Sequence, residues 1–159
     1  MEWLDLNSHP RLLLDGEGIE LAYQPVSLDH GGGPILGTFK VRCDVRHSTG
    51  RFVYVADDVT IEPCVFREFA CDLKQVLDGK AREAILAPVG NELVVTVNRM
   101  AKNVQMRVTV TEWQGPFDPE TTLSAGCSNL NTDRTYRWVS DLKSYGHLMD
   151  KWVSATWTT

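Results

Sequence analysis

The stretch Cys64–Trp113, CVFREFACDLKQVLDGKAREAILAPVGNELVVTVNRMAKNVQMRVTVTEW, decides the fold. In its first third, Phe66, Phe69, Ala70, Leu73, Val76 and Leu77 recur at i, i+3, i+4 and i+7, so they wind onto one side of a helix. Arg67, Asp72, Lys74 and Gln75 take the other side. Pro63 fits the first turn, where its missing N–H costs nothing, and Gly79 supplies the left-handed residue that stops a helix. The spacing predicts about four turns with a single apolar stripe, which must be buried against a sheet.

The rest of the stretch changes to a period of two. Ala84–Val89, Leu93–Val97 and Val104–Val110 read as strands, the first pair joined at Gly90-Asn91, whose residues tolerate positive φ. Val104, Met106, Val108 and Val110 alternate with Gln105, Arg107, Thr109 and Thr111, the pattern of an antiparallel meander with one wet face.

Upstream, Leu12–Leu14, the turn Asp15-Gly-Glu-Gly18 and the alternating Ile19, Leu21 and Tyr23 predict a hairpin. Ser27 to Pro34, with three glycines and a proline, reads as a flexible connection. Ile35–Val45 alternates cleanly, with Phe39, Val41, Cys43 and Val45 on one side and Lys40, Arg42 and Asp44 on the other. Arg51–Val55 is continuously apolar in its centre and reads as a strand that is central or covered on both faces. Downstream, Gln114–Pro119 is a loop and Thr121–Ser128 a weakly patterned strand. Thr132 or Asp133 is expected to cap a second helix carrying Tyr136, Val139, Leu142 and Tyr145 inward to a stop at Gly146. The tail Lys151–Thr159 reads as a last strand or a docked extension. The expectation is one α+β domain over residues 1–159, a mostly antiparallel β structure of hairpins and a meander, in one layer or two, with two amphipathic helices packed on it.

Composition narrows the class. Over 159 residues, 43% hydrophobic and 23% charged side chains are ordinary for a globular protein, and no run reaches the roughly 20 apolar residues of a membrane-spanning helix. Glu2 and Asp5 stand where a targeting segment needs basic residues, which points to the cytoplasm. There Cys43, Cys64, Cys71 and Cys127 would be reduced thiols. A net charge of −5 disfavours nucleic acid, whose phosphates need clustered Lys and Arg, and suits a protein partner with a basic surface.

No catalytic constellation, cofactor motif or metal site emerges. His9, His30, His47 and His147 are scattered through loops and element ends, and Gly31–Pro34 lacks the Lys-Ser/Thr of a phosphate loop. Ser8, Ser48 and Ser124 lie outside any nucleophile-elbow pattern. Cys64 and Cys71, seven apart, read as packed helix face. Asp57, Asp58 and Glu62 gather three carboxylates between a strand and a helix, an arrangement open to Mg²⁺ or Ca²⁺ or to acid–base work but without the periodic oxygen ligands of a calcium loop, so they read as a solvated turn or as contacts for a partner. Trp3, Trp113, Trp138, Trp152 and Trp157 read as core filling or as contacts for a partner, and Trp138, which flanks the stripe of the second helix, is the candidate aromatic contact among them.

Phe39-Lys-Val-Arg42, the helix Phe66–Leu73 with Leu77-Asp-Gly79, Ala84-Ile-Leu86, Asn91-Glu-Leu93, Val104–Val108 and Asp133-Arg-Thr-Tyr136 resemble small bacterial proteins of the uncharacterised-domain and WapI-type immunity group. The chain departs from that group at Lys102-Asn103, where Gly-His is common, and at Arg137, where leucine is common. The resemblance implies a non-enzymatic protein-binding module that occludes a toxin partner. A small-molecule-binding domain, with its pocket between helix and sheet or in the mouth of a curled sheet, is the alternative.

Overall fold

The computed structural model describes residues 12–16, 18–29, 35–112, 121–127 and 130–157. Among them, strands β1 (Leu12–Gly16), β2 (Ile19–Asp29), β3 (Leu36–His47) and β4 (Gly50–Ile61) form one four-stranded sheet in that order. Helix α1 (Val65–Leu77) leads to a second sheet of β5 (Glu83–Leu86), β6 (Leu93–Met100), β7 (Asn103–Glu112) and β8 (Thr121–Cys127), and α2 (Thr132–Trp157) follows. Every neighbouring pair is antiparallel, so the architecture is α+β, as the hydrophobic pattern predicts, and the two expected N-terminal hairpins join into a meander of their own. Expected features on Trp3, Ser8, His9, His30, Gly31–Pro34, Trp113 and Gln114–Pro119 lie outside the described residues.

Strand alternation puts Tyr23, Val41, Val59 and Ile61 of the first sheet against Leu86 and Leu93 of the second. A single buried cluster continues from these inner faces through both helices. All six stripe residues of α1 are buried, against β5, β6 and α2. Phe66 joins the layers: its ring centroid lies 5.5 Å from Tyr23, 5.4 Å from Phe39 and 5.0 Å from Tyr145. Such aromatic contacts add about 0.5–1.5 kcal/mol each beyond the area they bury.

The end of α1 shows why the chain turns there. Gly79 has φ +78°, Lys80 N–H donates to the Gln75 carbonyl (2.8 Å) and Gly79 N–H to that of Val76 (3.1 Å), a Schellman closure that needs a left-handed residue. Arg99 reaches across from β6, its Nε donating to the Val76 carbonyl (2.8 Å) and its Nη2 to that of Leu77 (2.7 Å). A cation is thereby fixed at the negative end of the helix dipole. At the other end the helix begins at Val65, just past Pro63.

Several expectations are corrected. β2 runs on through Ser27–Asp29, because Pro25, which cannot donate to the ladder, is absorbed in a bulge that leaves Val26 exposed. β4 is an edge strand and not a doubly covered one: Phe52, Tyr54 and Ala56 are half-buried inward, while Val53 and Val55 are 42% and 46% exposed. Gly146 does not end α2, which continues to Trp157, so the tail is helical over Lys151–Trp157, where a strand or extension was expected. A Cβ at Gly146 would stand 3.1 Å from the Cβ of Arg67, so the glycine permits close approach of the two helices. Asn131 caps α2, its Oδ1 accepting from Arg134 N–H (3.1 Å), one residue before the expected cap. Tyr136 faces outward and donates its hydroxyl proton to Asp78 (2.7 Å). Cys71 is exposed and Cys64 precedes the helix, so they share no packed face.

Candidate interaction face

The outer face of the first sheet follows from its register. Glu20, Asp44 and Val53 form one row across β2, β3 and β4, and Ala22, Arg42 and Val55 the next. Arg46 stands opposite Arg51 at the hairpin end, and Gln24 beside Lys40 toward the other. Period-two alternation sends all of these away from the second sheet, so the face carries the charges that the core excludes.

Asp44 is the centre of this face. Its side chain is only 3% exposed and accepts hydrogen bonds from Arg51, from Nε to Oδ1 at 2.9 Å and from Nη2 to Oδ2. Arg42 and Arg46 add ion pairs at 3.7 and 3.8 Å. The Arg51 hydrogen bonds hold the Asp44 carboxyl below the usual carboxylate range; burial opposes this, and the charges of Arg51, Arg46 and Arg42 reinforce it. Hydrogen bonding to Asp44 likewise raises the Arg51 guanidinium. One withdrawn carboxylate therefore orients three guanidiniums whose outer N–H groups still face solvent.

Beside this cluster lies an open groove of about 310 Å³ lined by Ala22, Gln24, Lys40, Arg42, Val53 and Val55. At its far end the β3–β4 ladder carries a bulge, with Phe39 opposite Val59 and Val41 opposite Ala56, so that Lys40 faces both Asp57 and Asp58. The two acids expected in a turn thus sit within a strand, both exposed, and Asp57 pairs with Lys40 at 3.5 Å. Glu62 lies past the strand end and accepts a weak hydrogen bond from the Cys64 thiol (3.8 Å). The face is bipolar: guanidiniums at the hairpin end, carboxylates at the bulge end, and two exposed valines between.

A second cavity, about 210 Å³, opens between the sheets among Cys43, Val45, Phe52, Val108, Val110, Ser124 and Ala125, with His47 at its lining. Burial, with a smaller effect of Asp44, pushes the Cys43 thiol up to about 11, so it is protonated and unreactive at neutral pH. This cavity lies between two sheets and not between helix and sheet.

Trp138, the candidate aromatic contact, is 3% exposed and takes the core role, its other reading, because α2 turns that side inward. His47 and His147 are exposed. Among the described residues no group of three or more His, Cys, Asp or Glu is placed to hold a metal, and no helix is long and apolar enough to cross a membrane. Sequence reading missed the Asp44 cluster. Its signal is present as Arg42, Asp44 and Arg46 at period two with Arg51 across a tight turn, but only the register shows that four charges converge. No family model, curated protein or solved structure matches the chain.

Proposed function

We propose that the protein is a non-enzymatic binding module that engages a protein partner through the outer face of the first sheet. The carrying observation is the exposure of Val53 and Val55 between the arginine cluster and the acidic bulge, an apolar centre with a charged rim. Shape and charge would do the work: the valines bury against the partner, Arg46 and Arg51 meet its acids, and Asp57 and Asp58 meet the basic surface expected from the sequence. The immunity-type role implied by the resemblance is one form of this reading, with the partner a toxin. Its test is titration calorimetry of the purified protein against the product of the neighbouring gene. Binding that Val53→Asp weakens at least tenfold supports the reading; unchanged binding by that variant overturns it.

The cavity between the sheets supports a second reading, a small apolar ligand held among Cys43, Val45, Phe52, Val108 and Val110. Thermal-shift screening of apolar ligands against the protein and Val108→Trp, which fills the cavity, separates the two readings.

A further inference from the structure

The bipolar edge of β4 has a geometric property of its own. Arg46 N–H donates to the Gly18 carbonyl (2.7 Å), so even-numbered residues of β3 turn their backbone groups toward β2 and odd-numbered ones toward β4. The register places those odd residues opposite Phe52, Tyr54 and Ala56. Arg51, Val53 and Val55 therefore present their N–H and C=O groups to the outer edge of the sheet, where no strand among the described residues pairs with β4. The parity agrees at the lower end: beyond the extra residue of the bulge it is the carbonyl of Thr60 that points outward, where it accepts from Val89 N–H (2.9 Å).

We infer that β4 pairs antiparallel with β4 of a second copy of this chain about a two-fold axis at Tyr54, joining the two first sheets into one continuous sheet. In that register Val53 meets Val55 of the second copy as a hydrogen-bonded pair, Arg51 meets its Asp57, Phe52 its Ala56, and Tyr54 meets Tyr54 on the axis. Each match is repeated by symmetry, as an isologous contact requires. The outward residues pair with outward residues and the inward with inward, so the second copy extends both faces without burying either. Both charge pairs are opposite in sign and both exposed valines gain an apolar neighbour, which stabilises cross-strand pairing. A second copy fits this edge better than an arbitrary strand because the complementarity is internal: the residues that match Arg51 and Val53 are Asp57 and Val55 of the same strand. An edge left open would be an aggregation template. The lower part is already closed by Val89, and the bulge limits the pairing to the segment above it.

The test is solution mass by sedimentation over a concentration series. The single chain is 17.9 kDa, and the wild type is expected at twice that mass at high concentration. Val55→Pro removes an outward N–H without touching the β3 ladder, and Asp57→Arg sets like charges opposite each other. Both are expected to return the protein to the single-chain mass with an unchanged circular dichroism spectrum. Tyr54→Cys, on the axis, is expected to cross-link two chains on mild oxidation beyond the level the native thiols give, and Val26→Cys, away from this edge, is not. A wild type that stays at the single-chain mass throughout overturns the inference, as does a dimer insensitive to both variants or one cross-linked equally from position 26.

Discussion

Arg99 carries the most readily quantified prediction. Its guanidinium donates to two carbonyls in the last turn of α1, at 2.8 and 2.7 Å, from a strand of the second sheet, so it ties helix to sheet at their junction. A hydrogen bond involving a charged group contributes about 1.5–3 kcal/mol net, and the charge at the helix end is part of that gain. The carbonyl of Val76 also receives Gly79 N–H, so removal of Arg99 leaves it partly satisfied, whereas Leu77 loses a charged donor. Arg99→Ala should therefore cost about 2–3 kcal/mol, equivalent to a fall in Tm of roughly 5–10 °C for a chain of this size. Arg99→Lys retains the charge without the planar fork and should recover about 1 kcal/mol of that loss. Urea unfolding gives both values, and amide exchange at Asp78–Ala81 should quicken in the alanine variant before exchange in the strands does. A loss below about 0.5 kcal/mol for Arg99→Ala, or full stability for Arg99→Lys, would refute the reasoning.

At Gly146, alanine gains up to about 1 kcal/mol of helix propensity but places its Cβ 3.1 Å from that of Arg67, so Gly146→Ala should stay within about 1 kcal/mol of the wild type. Gly146→Leu should lose about 1–3 kcal/mol by overpacking α1 against α2, and a leucine variant with an unchanged urea midpoint would contradict that packing role. Asp44 sets an acid dependence. Its folded-state pKa lies below the unfolded value of about 3.9, so its contribution is present above that pH and is lost as pH falls through the lower folded value. Asp44→Asn should therefore be less stable than the wild type at pH 7, with the two converging in acid below about pH 4; a difference that is constant from neutral pH into acid would disprove this.

Much of the architecture follows from residue patterns alone. The stripe of Phe66, Phe69, Ala70, Leu73, Val76 and Leu77 is buried as its periodicity requires, and the alternation of Val104–Val110 and of Phe39–Val45 gives strands with the expected buried sides. Gly79 and Asn91 take positive φ where the turns need it. These are local properties, set by the period of each element and by the backbone freedom of single residues.

Tertiary structure decided what the same residues do when their local preference has more than one use. Gly146 looks like a helix stop by propensity, yet the proximity of Arg67 makes it a packing site, a fact carried by another helix. The apolar run of Arg51–Val55 suggests a central strand, but strand order, which no single segment contains, leaves it at an edge. Tyr136, expected inward, is exposed, and Trp138 takes the core role and not that of a contact, because the rotation of α2 is set by its contacts with α1 and β1. The candidate face is the clearest case. Asp44, its three arginines and the acidic bulge are legible as charges in the sequence, but their convergence depends on inter-strand register, and register is fixed by the burial of the opposite face. The chain therefore specifies its elements by local periodicity, while the position of its charges in space is a consequence of how the core is packed.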